Sequence, residues 1–263
     1  MLKRLISSIV LIIIFLPIII FGGRTFLIVS GILACLSLKE ILDLKKSHSK
    51  IPSGIELLLY ASLLVLIFYD YKTSLTFMLN TKILIIITVI LLVPTIFYKK
   101  EEYETKDAFY LLGIVVFLGI SFNNLIILRQ DNIFHIWYIL LITTSSDTFA
   151  YLIGKNFGKH KLLPKVSPKK TVEGAIGGLL MSSILGSLYY YYMMPSSPIC
   201  FIIIFSCLVS LSAPIGDLIF SKIKRENDIK DYSDLIPGHG GILDRFDSLI
   251  LAVLVYTLLL NIL

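Results

Sequence analysis

Charged residues are scarce in this 263-residue chain, where 24 Lys and Arg and 18 Asp and Glu make up 16% of the sequence against 56% hydrophobic residues. Soluble domains average about 25% charged and about 45–50% apolar residues. The mean hydropathy is +0.87. This composition excludes a disordered chain and predicts a protein whose surplus apolar surface is covered by lipid.

Other features are also missing. The three cysteines, Cys35, Cys200 and Cys207, fall in apolar stretches without metal-ligand spacing, which predicts small packing residues. There is no internal repeat. No small-x-small cleavage site precedes Arg24, so we expect the first apolar segment to remain as a span and not to be cleaved as a signal peptide.

Nine apolar stretches approach the roughly 20 residues that a helix needs to span about 30 Å of hydrocarbon. The second, third and fourth are short, so either their ends extend into polar flanks or the first two form a tight hairpin around Gly22-Gly23-Arg24. We predict an all-α, polytopic membrane protein with about nine transmembrane helices. The segments are Leu5–Gly22, Thr25–Leu38, Gly54–Tyr69, Ile83–Phe97, Ala108–Leu128, Ile133–Ile153, Ala175–Met194, Ile199–Phe220 and Phe246–Leu263.

Basic residues test this division independently, because cytoplasmic loops collect Lys and Arg. With a cytoplasmic amino terminus, 20 of the 24 fall inside. A miscounted helix before the middle of the chain would invert every later loop and destroy this asymmetry. The outside set is Arg24, Lys72, Lys82 and Arg129; the inside set is Lys3, Arg4, Lys39, Lys45, Lys46, Lys50, Lys99, Lys100, Lys106, Lys155, Lys159, Lys161, Lys165, Lys169, Lys170, Lys222, Lys224, Arg225, Lys230 and Arg245.

The two halves of the chain differ in kind. Up to about residue 140 the loops carry scattered charges without recognisable chemistry. Beyond it, carboxylates enter or border the spans, and two long cytoplasmic loops fill with Gly, Lys, Ser and His. We therefore predict a hydrophobic transmembrane scaffold at 1–140 and a catalytic transmembrane region with two cytoplasmic loops at 141–263.

Four carboxylates in this second region are candidate ligands. Asp147 lies in a polar run inside the sixth span, and Asp217 lies four residues before Ser221 on one helical face near the end of the eighth. Asp244 and Asp247 share a face at the start of the ninth. A carboxylate within a span usually marks a cavity, a partner or an ion. Helix caps or surface carboxylates are the alternative for any one of them; for the set, we expect Mg²⁺, which takes oxygen ligands and substrate phosphates.

The loop after the sixth span contains Ser167-Pro168-Lys169-Lys170-Thr171-Val172-Glu173-Gly174. Lysine charge, hydroxyls and glycine amides suit phosphate oxygens, although this is not the P-loop pattern. Glu173 stands where the seventh helix begins, so it either caps that helix or binds a cation. A basic loop on lipid headgroups remains the alternative for the whole segment.

The loop after the eighth span combines a basic segment with glycines around a histidine. Three glycines near His239 leave the backbone free to approach a ligand. A lone histidine is more often a structural hydrogen-bonding group. Because it lies between basic residues and carboxylates, we expect His239 to contact substrate.

The same residues resemble the signature of the phosphatidate cytidylyltransferase (CDP-diacylglycerol synthase) family. The matching pattern is Ser221-x-x-Lys224-Arg225-x4-Lys230-Asp231, followed by Pro237-x-His239-Gly240-Gly241-x-x-Asp244-Arg245-x-Asp247. Ser167-Pro168-Lys169-Lys170-Thr171-x-Glu173-Gly174 is a second resemblance at the expected distance upstream; position 172 is often aromatic in relatives, and Val172 affects only local packing. The resemblance is specific over roughly residues 143–250.

The resemblance implies transfer of CMP from CTP to phosphatidate, which gives CDP-diacylglycerol and pyrophosphate for phospholipid biosynthesis. The implied cofactor is Mg²⁺, with a second cation left open. Roles follow by type: metal ligands Asp217, Asp244, Asp247 and Asp147; catalytic residues Asp217, Asp244, Lys224, Arg225 and His239; substrate-binding residues Ser167, Lys169, Lys170, Thr171, Glu173, Lys230, Asp231, Gly240, Gly241 and Arg245.

The expected partners are CTP, phosphatidate and the lipid bilayer, and the resemblance suggests a homodimer. We expect no nucleic-acid partner. The expected location is the cell membrane, multi-pass, with the active site on the cytoplasmic side. Competing functions are another CTP-dependent lipid enzyme, such as a polyprenol or phytol kinase, an ion-coupled transporter, and a non-catalytic lipid-binding scaffold.

Overall fold

Helices dominate the computed structural model, which describes residues 2–46, 51–69, 81–99, 102–193 and 198–262. Within these ranges, each predicted span overlaps one helix. Lys50, Lys72 and Lys100, and the predicted span ends Met194 and Leu263, lie outside the described residues. The helices are α1 (Leu2–Phe21), α2 (Gly23–Lys46), α3 (Ser53–Phe68), α4 (Thr81–Leu92), α5 (Thr105–Asp131), α6 (Ile133–Phe157), α7 (Val172–Met193), α8 (Ile199–Glu226) and α9 (Leu243–Ile262); a 3₁₀ turn, Val93–Ile96, follows α4.

Among the residues that the structure describes, five helices are long and apolar enough to cross a membrane by length and composition. They are Gly23–Lys45, Thr105–Asp131, Ile133–Phe157, Val172–Met193 and Ile199–Glu226. Shorter apolar helices occur at Ile9–Phe21, Ser53–Phe68 and Thr81–Ile96. The fold is therefore that of a helical membrane protein.

A tight turn joins α1 to α2, as the glycine pair predicts. Gly22 and Gly23 have φ angles of 61° and 57°, the left-handed region in which a side chain is strained. The Arg129 guanidinium on α5 donates to the carbonyls of Ile19 and Ile20 at 2.5 and 2.7 Å, so it satisfies carbonyls that the end of α1 leaves without a helical partner. The short second span also lengthens, because α2 continues eight residues past the predicted end.

The chain divides into two compact units: residues 1–130 with 232–243, and residues 131–231 with 244–263. The first unit therefore contains α1 to α5 and the segment Tyr232–Leu243. The second contains α6, α7, α8 and α9 from Asp244 onward. The functional division at residue 140 into scaffold and catalytic region stays a prediction.

Small residues determine how closely the helices of the second unit approach each other. A Cβ added to Gly178 on α7 would lie 2.7 Å from the Ser146 carbonyl oxygen of α6, and one on Gly174 would lie 2.6 Å from that of Ala150. Close approach through small residues is a usual basis of helix association in membranes. The contact fixes α7 against the polar stretch of α6 that carries Asp147.

A short antiparallel hairpin separates α6 from α7, which the all-α expectation did not include. Strands β1 (Lys161–Leu163) and β2 (Ser167–Thr171) pair with Lys161 opposite Thr171 and Leu163 opposite Ser167. Pro164 follows Leu163, and the Val166 amide donates to the Leu163 carbonyl at 3.1 Å. Proline at the second position of a β-turn presets its φ, so the chain reverses here and does not continue as helix.

Candidate active site

A cavity of about 410 Å³ lies within the second unit, where α6, the hairpin, the start of α7 and α8 meet. Of the predicted site residues, it is lined by Asp147, Lys169, Lys170 and Thr171. Its size is in the range of small-molecule pockets. The other lining residues are Ser146, Ala150, Tyr151, Gly154, Lys155, Gly158, Lys161, Leu162, Ala175 and Pro214.

Asp217 on α8 connects the cavity lysine Lys170 to the helix that carries the family-like signature. The Lys170 ammonium lies 2.5 Å from one carboxylate oxygen, and the Ser221 hydroxyl donates to the other at 3.0 Å. The predicted shared face of Asp217 and Ser221 is thus confirmed. The buried Lys170 nitrogen has no hydrogen-bond partner among the described residues, so its contact with Asp217 is ionic and not a well-directed hydrogen bond.

Three carboxylates of the second unit act on one another. Asp217 interacts electrostatically with both Asp147 and Asp247, and Asp147 also with Asp247. Gly216 allows α8 to lie close to the part of α9 that carries Asp247, because a Cβ at position 216 would lie 2.5 Å from the Asp247 carbonyl oxygen. Helices α8 and α9 can therefore come together only with glycine at this position.

Basic side chains offset part of that negative charge. Lys170 and Arg245 interact electrostatically with Asp147, and Lys224 interacts with Asp247. Arg245 is exposed. Two predicted substrate-binding residues, Lys170 and Arg245, thus interact electrostatically with the predicted metal ligand Asp147.

Asp244 has a different environment from the other carboxylates. Its carboxylate accepts a hydrogen bond from the Lys224 ammonium at 2.6 Å, and both side chains are buried. Asp247, three residues further along α9, accepts from the Ser248 amide at 2.7 Å. The shared helical face that the i, i+3 spacing predicts thus carries two carboxylates with different immediate partners.

Glu173 is fastened to the loop that leads into the hairpin. Its carboxylate accepts from the amides of Lys159 and His160 at 3.1 and 3.2 Å, and it lies 2.6 Å from the His160 ring nitrogen Nδ1. Thr171 caps α7, since its hydroxyl accepts from the Gly174 amide at 3.2 Å. Ser167 is half-buried in β2.

The basic segment after α8 is mostly exposed. Lys230 and Asp231 are exposed. The Arg225 guanidinium donates to the Ile229 carbonyl at 2.7 Å and to the Val166 carbonyl in the hairpin turn at 3.3 Å. Arg225 thus holds two loops of the second unit together while remaining accessible.

His239 lies in the segment that belongs to the first unit. Its Nδ1 is 2.7 Å from the Ser7 hydroxyl of α1. The turn around it requires glycine, because Gly238 and Gly240 have φ angles of 79° and 82°. The Ile236 amide closes the turn by donating to the Gly240 carbonyl at 2.9 Å.

Sequence reasoning missed four residues. Tyr151 and Lys155 line the cavity, and the Lys155 ammonium lies 6.0 Å from the centre of the Tyr151 ring. Their spacing from Asp147, four and eight residues, places all three on one helical face and could have found them. Lys161 also lines the cavity. Glu40 contacts the Gly-rich loop from α2, and no spacing rule connects residues 200 positions apart.

The donor chemistry fits magnesium without forming a complete cage. Within the part of the chain that the structure describes, no three His, Cys, Asp or Glu side chains are grouped to hold a metal ion. Magnesium usually takes one or two carboxylates together with waters and substrate phosphates. Asp217, which interacts electrostatically with Asp147 and Asp247, would supply oxygen ligands of the kind that such a site needs.

Comparison with known proteins gives matches over nearly the whole chain. Residues 2–263 match the sequence model of a family described as the cytidylyltransferase family. The chain is similar to phosphatidate cytidylyltransferases of Staphylococcus haemolyticus (34% identity over 259 residues) and Staphylococcus aureus strain COL (35% over 257), with 98% of both chains covered in each case. A Staphylococcus epidermidis protein of the same name is 32% identical over 258 residues, again with 98% of both chains covered.

Proposed function

Because the chain belongs to the cytidylyltransferase family, we propose that it transfers CMP from CTP to phosphatidate, giving CDP-diacylglycerol and pyrophosphate. The relatives that carry this activity in their names match 98% of the chain. The observation that carries the proposal is the cavity of about 410 Å³, whose lining combines four lysines with Asp147. A triphosphate requires such a concentration of positive charge.

In the proposed reaction a phosphate oxygen of phosphatidate attacks the α-phosphorus of CTP. The new P–O bond forms as the bond from the α-phosphorus to the bridging oxygen breaks, and pyrophosphate leaves with that electron pair. The lipid phosphate is already ionised, so no protein nucleophile is needed. Positioning and charge stabilisation are the main resources in this type of chemistry.

The lysines of the cavity supply both resources. Lys169 is exposed at the hairpin and is free to approach nucleotide phosphates, whereas Lys170 is fixed beside Asp217 at 2.5 Å. Lys155 and Lys161 extend the positive lining. Arg225 and Lys224 are the candidates for the phosphatidate headgroup, and of these only Arg225 is exposed. His239, with Gly240 and Gly241, stays a candidate for substrate contact.

Magnesium would be held by Asp217 together with Asp147 or Asp247, and it would neutralise charge on the phosphates. The Ser221 hydroxyl, which donates to Asp217 at 3.0 Å, orients that carboxylate. Lys170 offsets the repulsion among the carboxylates. Asp244, already bound to Lys224 at 2.6 Å, is the less accessible ligand of the predicted set.

Nine crossings with a cytoplasmic amino terminus are the topology that we propose, with the catalytic loops on the cytoplasmic face of the cell membrane. Within the described residues each of the nine predicted spans overlaps a helix, and this overlap supports the topology, as does the distribution of 20 of 24 basic residues. To test it, the free thiols Cys35, Cys200 and Cys207 are replaced by alanine. Lys106→Cys and Lys82→Cys, both exposed, are then labelled in intact cells with an impermeant maleimide. Labelling of Lys82→Cys alone supports the topology, and labelling of Lys106→Cys overturns it.

The activity is tested with purified protein, radiolabelled CTP, Mg²⁺ and two acceptors in parallel. With phosphatidate as acceptor, CTP labelled in its base should give labelled CDP-lipid. CTP labelled in its γ-phosphate should give labelled pyrophosphate. Transfer of the γ-phosphate to an isoprenoid alcohol, without CDP-lipid, would overturn the proposal in favour of a lipid kinase.

We also propose that the protein is a homodimer, as the family resemblance suggests. Light scattering of the same preparation tests this, since a monomeric mass contradicts it.

A further inference from the structure

Glu40 is a buried carboxylate in the half of the chain where the sequence shows no chemistry. It lies on α2 and is 5% exposed. One carboxylate oxygen accepts from the Ser233 hydroxyl at 2.7 Å and from the Ile242 amide at 2.8 Å. The other accepts from the Leu243 amide at 2.9 Å. All of these residues belong to the first unit.

The two amides are those at the beginning of α9. The first four N–H groups of a helix have no partner within it, and a negative charge near them is favourable because of the helix dipole. Hydrogen bonds to an ionised acceptor are also roughly twice as strong as neutral ones. Glu40 therefore binds the two backbone N–H groups with which the first unit ends, those of Ile242 and Leu243, from a helix some 200 residues earlier in the chain.

Gly241 shows how closely the loop approaches this carboxylate. A Cβ at position 241 would overlap the Glu40 carboxylate, its nearest atoms being both oxygens and the carbon that joins them. The glycine of the family-like pattern thus has a physical explanation independent of substrate. It permits the loop to lie directly against Glu40.

The contact holds both ends of a functionally marked segment. Ser233 stands near the beginning of Tyr232–Leu243 and Ile242 and Leu243 at its end, so one carboxylate closes the loop that contains His239. The residue after Leu243 in the chain is Asp244. Misplacement of a reacting group by about 1 Å can reduce a rate about 100-fold.

We propose that Glu40 is a positioning residue, which fixes the loop Tyr232–Leu243 in the conformation that the reaction requires. This rests on the proposed transferase function. Glu40 does not contact substrate in this proposal; it acts through the loop backbone.

Glu40→Gln is the most conservative test, because it keeps the shape of the side chain and one carbonyl oxygen. An amide cannot accept at both positions, so one of the two helix N–H groups loses its acceptor. Asp107→Asn is the matched control. Asp107 is also a buried carboxylate of the first unit. It accepts from the Glu104 amide at the start of α5 at 3.2 Å and pairs with Lys45 of α2 at 2.5 Å, and neither contact includes the loop Tyr232–Leu243.

The first readout is hydrogen–deuterium exchange of the peptide that contains Ile242 and Leu243, with no substrate present. Exchange there should accelerate about tenfold in Glu40→Gln, since loss of one charge-assisted hydrogen bond is of that order, and should stay unchanged in Asp107→Asn. Unchanged exchange in Glu40→Gln overturns the proposal, whatever the enzyme assay shows.

The second readout is kcat per folded molecule, measured well below the unfolding midpoint. Glu40→Gln should lower it about 10- to 100-fold, whereas Asp107→Asn should lower the midpoint and leave kcat unchanged. A loss of activity in Glu40→Gln that follows only the folded fraction shows a structural role and overturns the proposal. Absence of CDP-lipid with the unsubstituted protein would instead defeat the proposed function, and the exchange arm distinguishes the two failures.

Gly241→Ala disrupts the same contact from the side of the loop, and it replaces Glu40→Gln as the test variant if Glu40→Gln does not fold. It should also accelerate exchange at Ile242 and Leu243. The double variant should be no slower than the slower single variant, because both changes break one contact and such effects are not additive. Additive losses in kcat contradict the proposal.

Discussion

Two lysine–aspartate pairs in the second unit have nearly the same geometry and very different surroundings. Lys224 and Asp244 are 2.6 Å apart, with side chains 9% and 3% exposed. Lys170 and Asp217 are 2.5 Å apart, with side chains 26% and 24% exposed. The sequence pattern assigns both aspartates the same role, as metal ligands, and the structure separates them by their access to solvent and substrate.

Burial changes what each pair can do. Charges removed from water must keep each other as partners, because breaking a buried pair leaves one of them uncompensated. The pair beside the cavity can exchange partners at smaller cost, so Lys170 can turn to a phosphate and Asp217 to a cation. We infer that the Lys224–Asp244 pair mainly holds α8 to α9, whereas the Lys170–Asp217 pair is available for the reaction.

The largest expected effect follows from breaking the buried pair. Asp244→Asn should destabilise the protein by about 3–5 kcal/mol, because Lys224 is left buried without its counter-charge. Lys224→Met combined with Asp244→Leu should recover most of this loss, since apolar replacement of both partners is often neutral or stabilising. Unfolding midpoints in detergent measure both. A stable but inactive Asp244→Asn enzyme would invert the comparison and make Asp244 the chemical residue.

Breaking the Lys170–Asp217 pair should reduce activity more than it reduces stability. Asp217→Asn should lower kcat about 100-fold, which is typical for loss of a charge-stabilising group. Its unfolding free energy should fall by less than that of Asp244→Asn, because both side chains of this pair are about a quarter exposed and exposed pairs contribute less than buried ones. Ser221→Ala, which removes only the hydroxyl that donates to Asp217, is the milder companion variant. The comparison fails if Asp217→Asn unfolds as readily as Asp244→Asn.

This contrast also shows what could be predicted from the sequence. Within the residues that the structure describes, the apolar stretches and the basic-residue asymmetry located each of the nine helices, with most ends within about five residues of the prediction. The exceptions are α2 and α8, which continue eight and six residues beyond their predicted ends. The i, i+4 spacing placed Ser221 beside Asp217 correctly. These successes share a cause: both depend on residues close in the chain.

Reasoning from residues close in the chain could not predict burial or long-range contacts. Nothing in the sequence near Asp244 distinguishes its buried pair from that of Asp217, because exposure depends on which helices cover each residue. Glu40 was missed for a related reason, since its partners are about 200 positions away. The hairpin was missed because the loop was considered for groups that bind phosphate or a cation and not for its backbone, although Pro164 marks its turn.

Two adjacent lysines offer an intermediate test of the role of burial. Lys170→Met leaves Asp217 without its cation and should raise KM for CTP about tenfold. A change of this size corresponds to the loss of roughly one charge-assisted hydrogen bond. Lys169→Met, at the exposed neighbouring position, should raise KM about threefold and only at low salt, because exposed charges are screened. Initial rates at two ionic strengths measure both. Equal, salt-sensitive effects would mean that burial does not distinguish the two lysines.

The smallest effect should come from a more exposed pair beside the cavity hairpin, His160 and Glu173, whose side chains are 80% and 27% exposed. Glu173→Gln keeps one oxygen for the Lys159 and His160 amides, so the entry to the hairpin should loosen without unfolding. We expect KM for CTP to rise about two- to threefold with kcat unchanged, in keeping with the small contribution of exposed pairs. His160→Ala removes the ring contact alone and should do less. A large fall in kcat for Glu173→Gln would show that the size of these effects does not follow side-chain exposure. It would also favour the alternative prediction that Glu173 binds a cation.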